Sequence, residues 1–367
     1  MLSLASNISA TQVVESKYSA SFDGSSDFIE LGDSDDIIST SQANVTLMCW
    51  VKPQEEAGNQ YIFSNRRSSS SSNFSLRMHS DSGIKFNGLI YTGTGLSTTL
   101  TSTTTVTAGT WYHVAITAKA NEQKIYINGQ LEHTLTLGFG MIPSTDGCTI
   151  ASFGSTNEYE GLVSELAVFN AYLTGNAVLA AYNSGFDLKT NVGDYTNSSD
   201  ITHYYKMGNG LFDDKTQGII HDQDNPGFGA ELAPSSLTIV NGSGGGTITQ
   251  VSGNSYSSTS DGNNTSSIRP KFDFNTESGK TYKLVITPTG SITGTVHFDF
   301  NDGSSYLFQD YDFTTTKEIY FTDNGSVFGA FNGQQVYSIS GFTMSLKKLN
   351  GNPGVTSGGV TFSSDTP

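Results

Sequence analysis

The sequence predicts an all-β protein: two antiparallel β-sandwich domains of jelly-roll type joined by a polar connector. Three observations carry this. Only 14% of the 367 residues are charged and 40 are Gly, and long amphipathic helices draw on more Ala, Glu, Lys and Leu than such a chain supplies. Apolar residues recur with a period of two in short runs rich in β-branched and aromatic side chains, separated by turn-forming Gly, Asn and Asp. The length suits two domains, each able to bury its own core.

Residues 1–17 read as a polar N-terminal arm. Leu2, Leu4, Ile8 and Val13 would be unburied there in a free chain, which makes the arm the expected docking element. It lacks the basic start and continuous apolar stretch of a secretory signal, and no later apolar run reaches membrane-spanning length. Residues 18–185 form the first sandwich, with strands expected around 28–31, 45–51, 61–63, 111–117 and 124–127. Asn128-Gly129 between two strand-like runs favours the type I′ turn of a tight hairpin. One helix is expected over 174–182, with Thr174 as its cap and Gly185 ending it. Residues 186–233 are turn-rich and read as a connector of marginal structure. The second sandwich spans 234–350, with strands over 237–240, 268–274, 282–287, 295–300, 318–321 and 338–347. Residues 351–367, rich in Gly, Ser and Thr, read as a flexible tail.

Five segments in order then carry a family resemblance. They are Phe22-Asp23-Gly24 followed by Phe28-Ile29-Glu30-Leu31; Val45 through Cys49-Trp50-Val51-Lys52-Pro53; Trp111-Tyr112-His113-Val114-Ala115; Ile125-Tyr126-Ile127-Asn128-Gly129; and the stretch from Tyr159 to Phe169, with Leu173-Thr174 entering a short helix. Residues 18–185 thereby resemble the laminin-G-like, concanavalin-A-like superfamily, which implies a lectin-type sandwich. Many relatives carry an Asp before the Glu of the closing strand; this chain has Ser164 before Glu165, so the resemblance implies no calcium or carbohydrate site there. Gly279-Lys280-Thr281-Tyr282 and the run from Phe342 to Lys348 resemble jelly-roll carbohydrate-binding modules. The combination is similar to structural proteins of marine tailed bacteriophages, which implies a head-decoration or tail-fibre role.

The chemistry-bearing residues point away from catalysis. Laminarinase-type glycosidases on this fold place acidic residues two and three apart on one strand, so that nucleophile and acid flank the glycosidic bond about 5–5.5 Å apart. Glu158, Glu160 and Glu165 are the nearest approach, yet Leu162 and Ser164 hold the positions in register with Glu160. The six histidines, His79, His113, His133, His203, His221 and His297, show no metal-ligand spacing, and His113 reads as a hydrogen-bonded strand residue. Cys49 and Cys148 are too few for a disulfide scaffold and read as small buried hydrophobes. Asp33-Ser34-Asp35-Asp36, Asp213-Asp214 and Asp222-Gln223-Asp224-Asn225 gather oxygen donors that calcium could use, but each reads more simply as a solvated acidic turn. The sequons at Asn44 and Asn73 are what a Ser/Thr-rich chain produces by chance. Tyr91, Tyr159, Tyr311 and Tyr337 lie near turns with polar neighbours and are the candidate sugar-stacking rings. The formal net charge of -16 disfavours nucleic acid and anionic lipid as partners.

No catalytic, cofactor-binding or metal-ligating residue is therefore assigned, and no cofactor is expected, calcium at the acidic turns being the alternative to their reading as solvated. The expected function is non-enzymatic: a virion structural protein of a tailed phage, made in the host cytoplasm and carried on the particle surface. It is expected to be homo-oligomeric, to contact other virion proteins, and to use its lectin-like domains for assembly or for adsorption to cell-surface glycans. The alternative is a free, extracellular bacterial lectin or adhesin.

Overall fold

The computed structural model describes residues 17–367 except 57, 69–70, 92–96, 138–139, 184–186, 243–244, 264–268, 311–312 and 332–334. The expected docking arm, Gly185 and Tyr311 lie outside the described residues. The chain divides into two compact units, Met1–Asp224 with Gly354–Pro367, and Asn225–Pro353. Both are antiparallel sandwiches, as the alternating patterns predict.

The first unit holds β1 (Ser19–Asp23), β2 (Phe28–Asp33), β3 (Asn44–Pro53), β4 (Gln60–Ser68), β5 (Ser71–Ser80), β6 (Ile84–Tyr91), β7 (Ser97–Thr105), β8 (Tyr112–Lys119), β9 (Glu122–Ile127), β10 (Gln130–Leu135), β11 (Gly147–Ile150), β12 (Glu160–Phe169), β13 (Ile201–Tyr205) and β14 (Ile219–Ile220). The second unit holds β15 (Phe228–Glu231), β16 (Leu237–Val240), β17 (Thr247–Ser252), β18 (Ser255–Asp261), β19 (Lys271–Phe274), β20 (Thr281–Pro288), β21 (Ile292–Gly294), β22 (Phe298–Asn301), β23 (Tyr306–Asp310), β24 (Lys317–Thr322), β25 (Phe328–Phe331) and β26 (Val336–Leu349). The chain then returns to the first unit with β27 (Gly354–Ser357) and β28 (Thr361–Ser363).

In the first unit one sheet runs β10-β9-β8-β3-β12-β1-β28, with β13 also on β12; the facing sheet runs β14-β27-β2-β11-β4-β5-β6-β7. Leu47, Cys49 and Val51 of β3 meet Phe74, Leu76 and Met78 of β5 in one buried cluster, because alternate residues of a strand share a face. Asn128 and Gly129 both have positive φ, 50° and 76°, so the β9–β10 hairpin turns as Asn-Gly predicts. The short helix α1 (Ser34–Ile37) follows β2, and helix α2 (Gly175–Asn183) begins where expected, with the Thr174 Oγ1 accepting the Ala177 N–H at 3.3 Å.

Two expectations of organisation are corrected. The connector has definite structure: Ile201–Tyr205 pairs with β12, and Tyr195, Tyr204, Leu188 and Ile201 are buried with Ala177 and Val178 of α2 over the outer side of that sheet. Its polar composition hid a thin second core that needs only a few aromatic residues. The tail is likewise held. β27 lies between β2 and β14, β28 pairs with β1, and the Asp365 carboxylate accepts from the Lys52 ammonium at 2.5 Å and the Trp111 indole N–H at 3.1 Å.

In the second unit one sheet runs β17-β18-β26-β20-β24, with β15 and β21 also on β26, and the other runs β16-β19-β25-β22-β23. Phe272, Phe274, Phe298, Phe300, Phe331 and Phe342 dominate the core between them.

Candidate functional site

In the first unit the closing strand β12 carries the acids nearest to a catalytic pair. Its register against β3 shifts between Ser164 and Ala167, and Glu165 takes φ +50°, the signature of a β-bulge. Ser164 and Glu165 thus both turn away from the inter-sheet core. Glu165 is buried under the connector, where its carboxylate accepts the Tyr204 hydroxyl; burial and that carboxylate hold the Tyr204 phenol well above its ordinary range. Glu160 lies at the other end of the strand, its carboxyl raised by burial and by Glu55. Glu165 and Glu160 therefore do not flank one groove.

The open face of the β5–β6 sheet, where a groove would form, is crossed by the chain itself. Asn73 brackets Ile142 with both amide atoms, Nδ2 donating to the Ile142 carbonyl at 2.8 Å and Oδ1 accepting its N–H at 3.2 Å. Gly140 N–H donates to the Tyr91 carbonyl at 3.1 Å. Ser64 and Ser75, cross-strand partners on that face, are fully buried. Asn73 is buried as well, so its sequon is inaccessible in the folded chain.

Two of the three acidic turns spend carboxylate oxygens on the backbone. Asp213 accepts the N–H groups of Gly208, Gly210 and His221, and Asp222 accepts those of Tyr204 and Asp224 and faces His203 Nδ1 at 2.8 Å. Among the described residues no group of three His, Cys, Asp or Glu side chains is placed to hold a metal ion. Cys49 and Cys148 are buried free thiols, pushed far above the ordinary thiol range by desolvation. His113 departs from expectation: its Nδ1 has no partner among the described residues, its ring packs edge-on to Trp50 at 5.3 Å, and burial lowers its pKa to about 4. Tyr91, Tyr159 and Tyr337 are all buried, and Tyr337 packs in the second core with its hydroxyl against Ser258 at 3.0 Å. None of these three can stack on a sugar.

The exposed ring that qualifies was not among those candidates. On the outward face of the β16-β19-β25-β22-β23 sheet the pairing aligns two rows. Thr238, Asp273, Phe328, Asn301 and Tyr306 are successive cross-strand partners, and so are Val240, Lys271, Ala330, Asp299 and Gln309. Their alternates, Phe272, Phe274, Phe298 and Phe300, fill the core, so the rows face outward. Tyr306 is 49% exposed and stands edge-on to Phe328 at 6.0 Å. Arg269 binds this face together: one Nη pairs with the Asp299 carboxylate and the other donates to the Tyr306 hydroxyl at 3.0 Å. Lys271 pairs with Asp273 at 2.6 Å and lies over the Phe328 ring at 5.4 Å. The result is a shallow face with two rings and a fan of fixed donors and acceptors.

Residues 23–179 match a family profile described as the Concanavalin A-like lectin/glucanases superfamily; the first unit has this lectin-type fold. Similar solved structures include a heptameric SAP-like pentraxin from Limulus polyphemus, 20% identical over 46% of this chain and 82% of that one, with a TM-score of 0.37. A putative carbohydrate-binding protein from Bacteroides ovatus is 18% identical over 57% of this chain and 56% of its own, with a TM-score of 0.42. The CBM40 of a Ruminococcus gnavus IT-sialidase, bound to α2,3 sialyllactose, is 15% identical over 46% and 97%, with a TM-score of 0.37. No curated protein matches the chain.

Proposed function

We propose that this protein is a non-catalytic saccharide binder whose binding face is the outward surface of the second unit around Tyr306. The carrying observation is that half-exposed ring, fixed by Arg269 and set in a row with Asn301 and Phe328. A flat aromatic surface stacks on the C–H face of a pyranose, while fixed carboxylate, amide and guanidinium groups exchange hydrogen bonds with its hydroxyls. The two carboxylates of this face, Asp273 and Asp299, are each paired with a cation, an arrangement suited to recognition rather than to the acid and base that hydrolysis needs. The lectin-type fold of the first unit supports the same reading. We further place the binder on the surface of a tailed-phage particle as a homo-oligomer, the setting implied by the sequence resemblance; a free lectin is the alternative.

A glycan array probed with the wild-type chain and with Tyr306→Ala tests the binding face. Binding that falls at least tenfold in the variant supports it; no binding by the wild type, or binding indifferent to the substitution, refutes it. Light scattering on the same sample gives the oligomeric state, and mass spectrometry of purified particles tests the virion setting.

A further inference from the structure

The second unit has another outward surface, on the β24-β20-β26 sheet, and it differs in chemistry from the Tyr306 face. Pairing places Tyr320, Lys283 and Lys347 in one outward row, and Glu318, Val285 and Ser345 in the next; Leu284, Ile286, Met344 and Leu346 point into the core. Phe228 of β15 stands beside these rows. Together Phe228, Lys283, Val285, Ser345 and Lys347 line a cleft of about 200 Å³.

The two lysines are direct cross-strand partners, an arrangement that like charges disfavour. Their situations are unequal. Lys283 is satisfied: its ammonium pairs with Glu318 at 2.8 Å and lies 5.2 Å from the Tyr320 ring centre and 5.7 Å from that of Phe228. Lys347 is only half-buried and makes no ion pair or side-chain hydrogen bond among the described residues. The acid opposite it, Glu231, feels the Lys347 charge but gives its oxygens to other donors. Its Oε1 accepts the N–H groups of Leu346 at 2.8 Å and Ala233 at 2.9 Å, and its Oε2 accepts the Ser345 hydroxyl at 2.5 Å. An ammonium with no direct hydrogen-bond or ion-pair partner, beside an aromatic and an aliphatic wall, can take a carboxylate as its ligand.

We infer that this cleft binds an acidic saccharide unit, its carboxylate on the Lys347 ammonium and its apolar ring face against Phe228 and Val285. The saccharide class rests on the proposed function; the cleft and its charge do not. The volume lies below the roughly 300–1,000 Å³ of pockets for drug-sized ligands, so the cleft suits one ring of a longer chain. On the Tyr306 face Arg269 pairs with Asp299 and Lys271 with Asp273, so that face suits neutral hydroxyls.

The test is calorimetric titration of the full chain with an oligogalacturonide and with its methyl-esterified form, using wild type, Lys347→Gln, Lys347→Arg and Tyr306→Ala. The acid form should bind the wild type and the Arg variant. Esterification and Lys347→Gln should each weaken binding about tenfold or more, with Tyr306→Ala unchanged. Equal binding of acid and ester, or indifference to Lys347→Gln, overturns the inference. Loss in Tyr306→Ala alone also overturns it, and leaves the proposed function standing on the other sheet. If neutral glycans bind an array but the oligogalacturonide does not, the inference alone fails; if no saccharide binds, both fail.

Discussion

Replacing His113 by Phe should flatten the acid limb of the first unit's stability curve. The imidazole is 3% exposed, sits between Trp50 at 5.3 Å and Tyr182 at 5.7 Å, and offers Nδ1 no partner among the described residues. Charging it in that place costs free energy, so its pKa drops from 6.5 to about 4. Between those values the unfolded chain binds a proton that the folded chain refuses, so stability rises with pH there. The contribution is intact above pH 6.5, declines as pH falls, and levels off below about 4. At about 1.4 kcal/mol per pH unit, the gap of about 2.5 units amounts to roughly 3 kcal/mol, of which about 2 kcal/mol is lost by pH 5. Both tryptophans, Trp50 and Trp111, lie in the first unit. Urea unfolding followed by tryptophan fluorescence therefore reports that unit without requiring the whole chain to be two-state. The wild type should lose about 2 kcal/mol more than His113→Phe between pH 7 and pH 5, near 1 M in midpoint for a slope of about 2 kcal/mol/M. The constant cost of the new side chain cancels in this comparison. Parallel pH dependences for the two proteins would refute the reasoning.

Three further outcomes follow from the structure. Deleting Gly354–Pro367 removes a strand with partners on both sides and should cost the first unit several kcal/mol at about 1 kcal/mol per net hydrogen bond lost; an unchanged tryptophan unfolding midpoint would contradict the pairing. Asp365→Ala should cost under about 1 kcal/mol, because the Lys52 and Asp365 side chains are 20% and 45% exposed and such pairs are screened; the same titration measures it. Cys49 and Cys148, desolvated and raised, should resist a thiol reagent in the native state and react once urea unfolds the chain, so rapid native labelling would show the core to be open.

What the sequence disclosed follows from which physical signals are local. The β9–β10 turn was legible because Asn128 and Gly129 adopt positive φ more readily than other residues, and α2 because Thr174 caps it. The bulge at Glu165 was not, since alternation assumes one residue per pleat and an inserted one reverses every later side chain. The Tyr306 face stayed hidden for a related reason. Its strand β25 reads Phe328-Gly329-Ala330-Phe331, where Gly and Ala weaken the strand signal. Gly329 is nonetheless fitting, because an added Cβ would lie 2.9 Å from the Phe298 ring. Tyr91, Tyr159 and Tyr337 proved to be buried, since turns of a sandwich still border the apolar interior and rings there gain more by burial than by exposure.

The hardest feature to read was discontinuity. A chain leaving a domain and returning more than a hundred residues later has no local signature, and a Gly/Ser/Thr-rich return segment resembles a loose end. The pairings show why it is ordered. The second unit closes on itself where it is entered and left: Asn350 N–H donates to the Gly227 carbonyl at 3.0 Å, and Phe228 is the register partner of Leu349. Adjacent ends let one domain interrupt another at little entropic cost, because the interruption acts as a short loop in the host. The host then needs the residues beyond it. β27 supplies the neighbour that both β2 and the two-residue β14 require, so the first unit's sheet is completed by the last segment described. Surface substitutions within Asn225–Pro353 can therefore test the proposed saccharide recognition without disturbing the first unit's fold, whereas a chain ending before Gly354 should lose both β27 and the Lys52–Asp365 pair together.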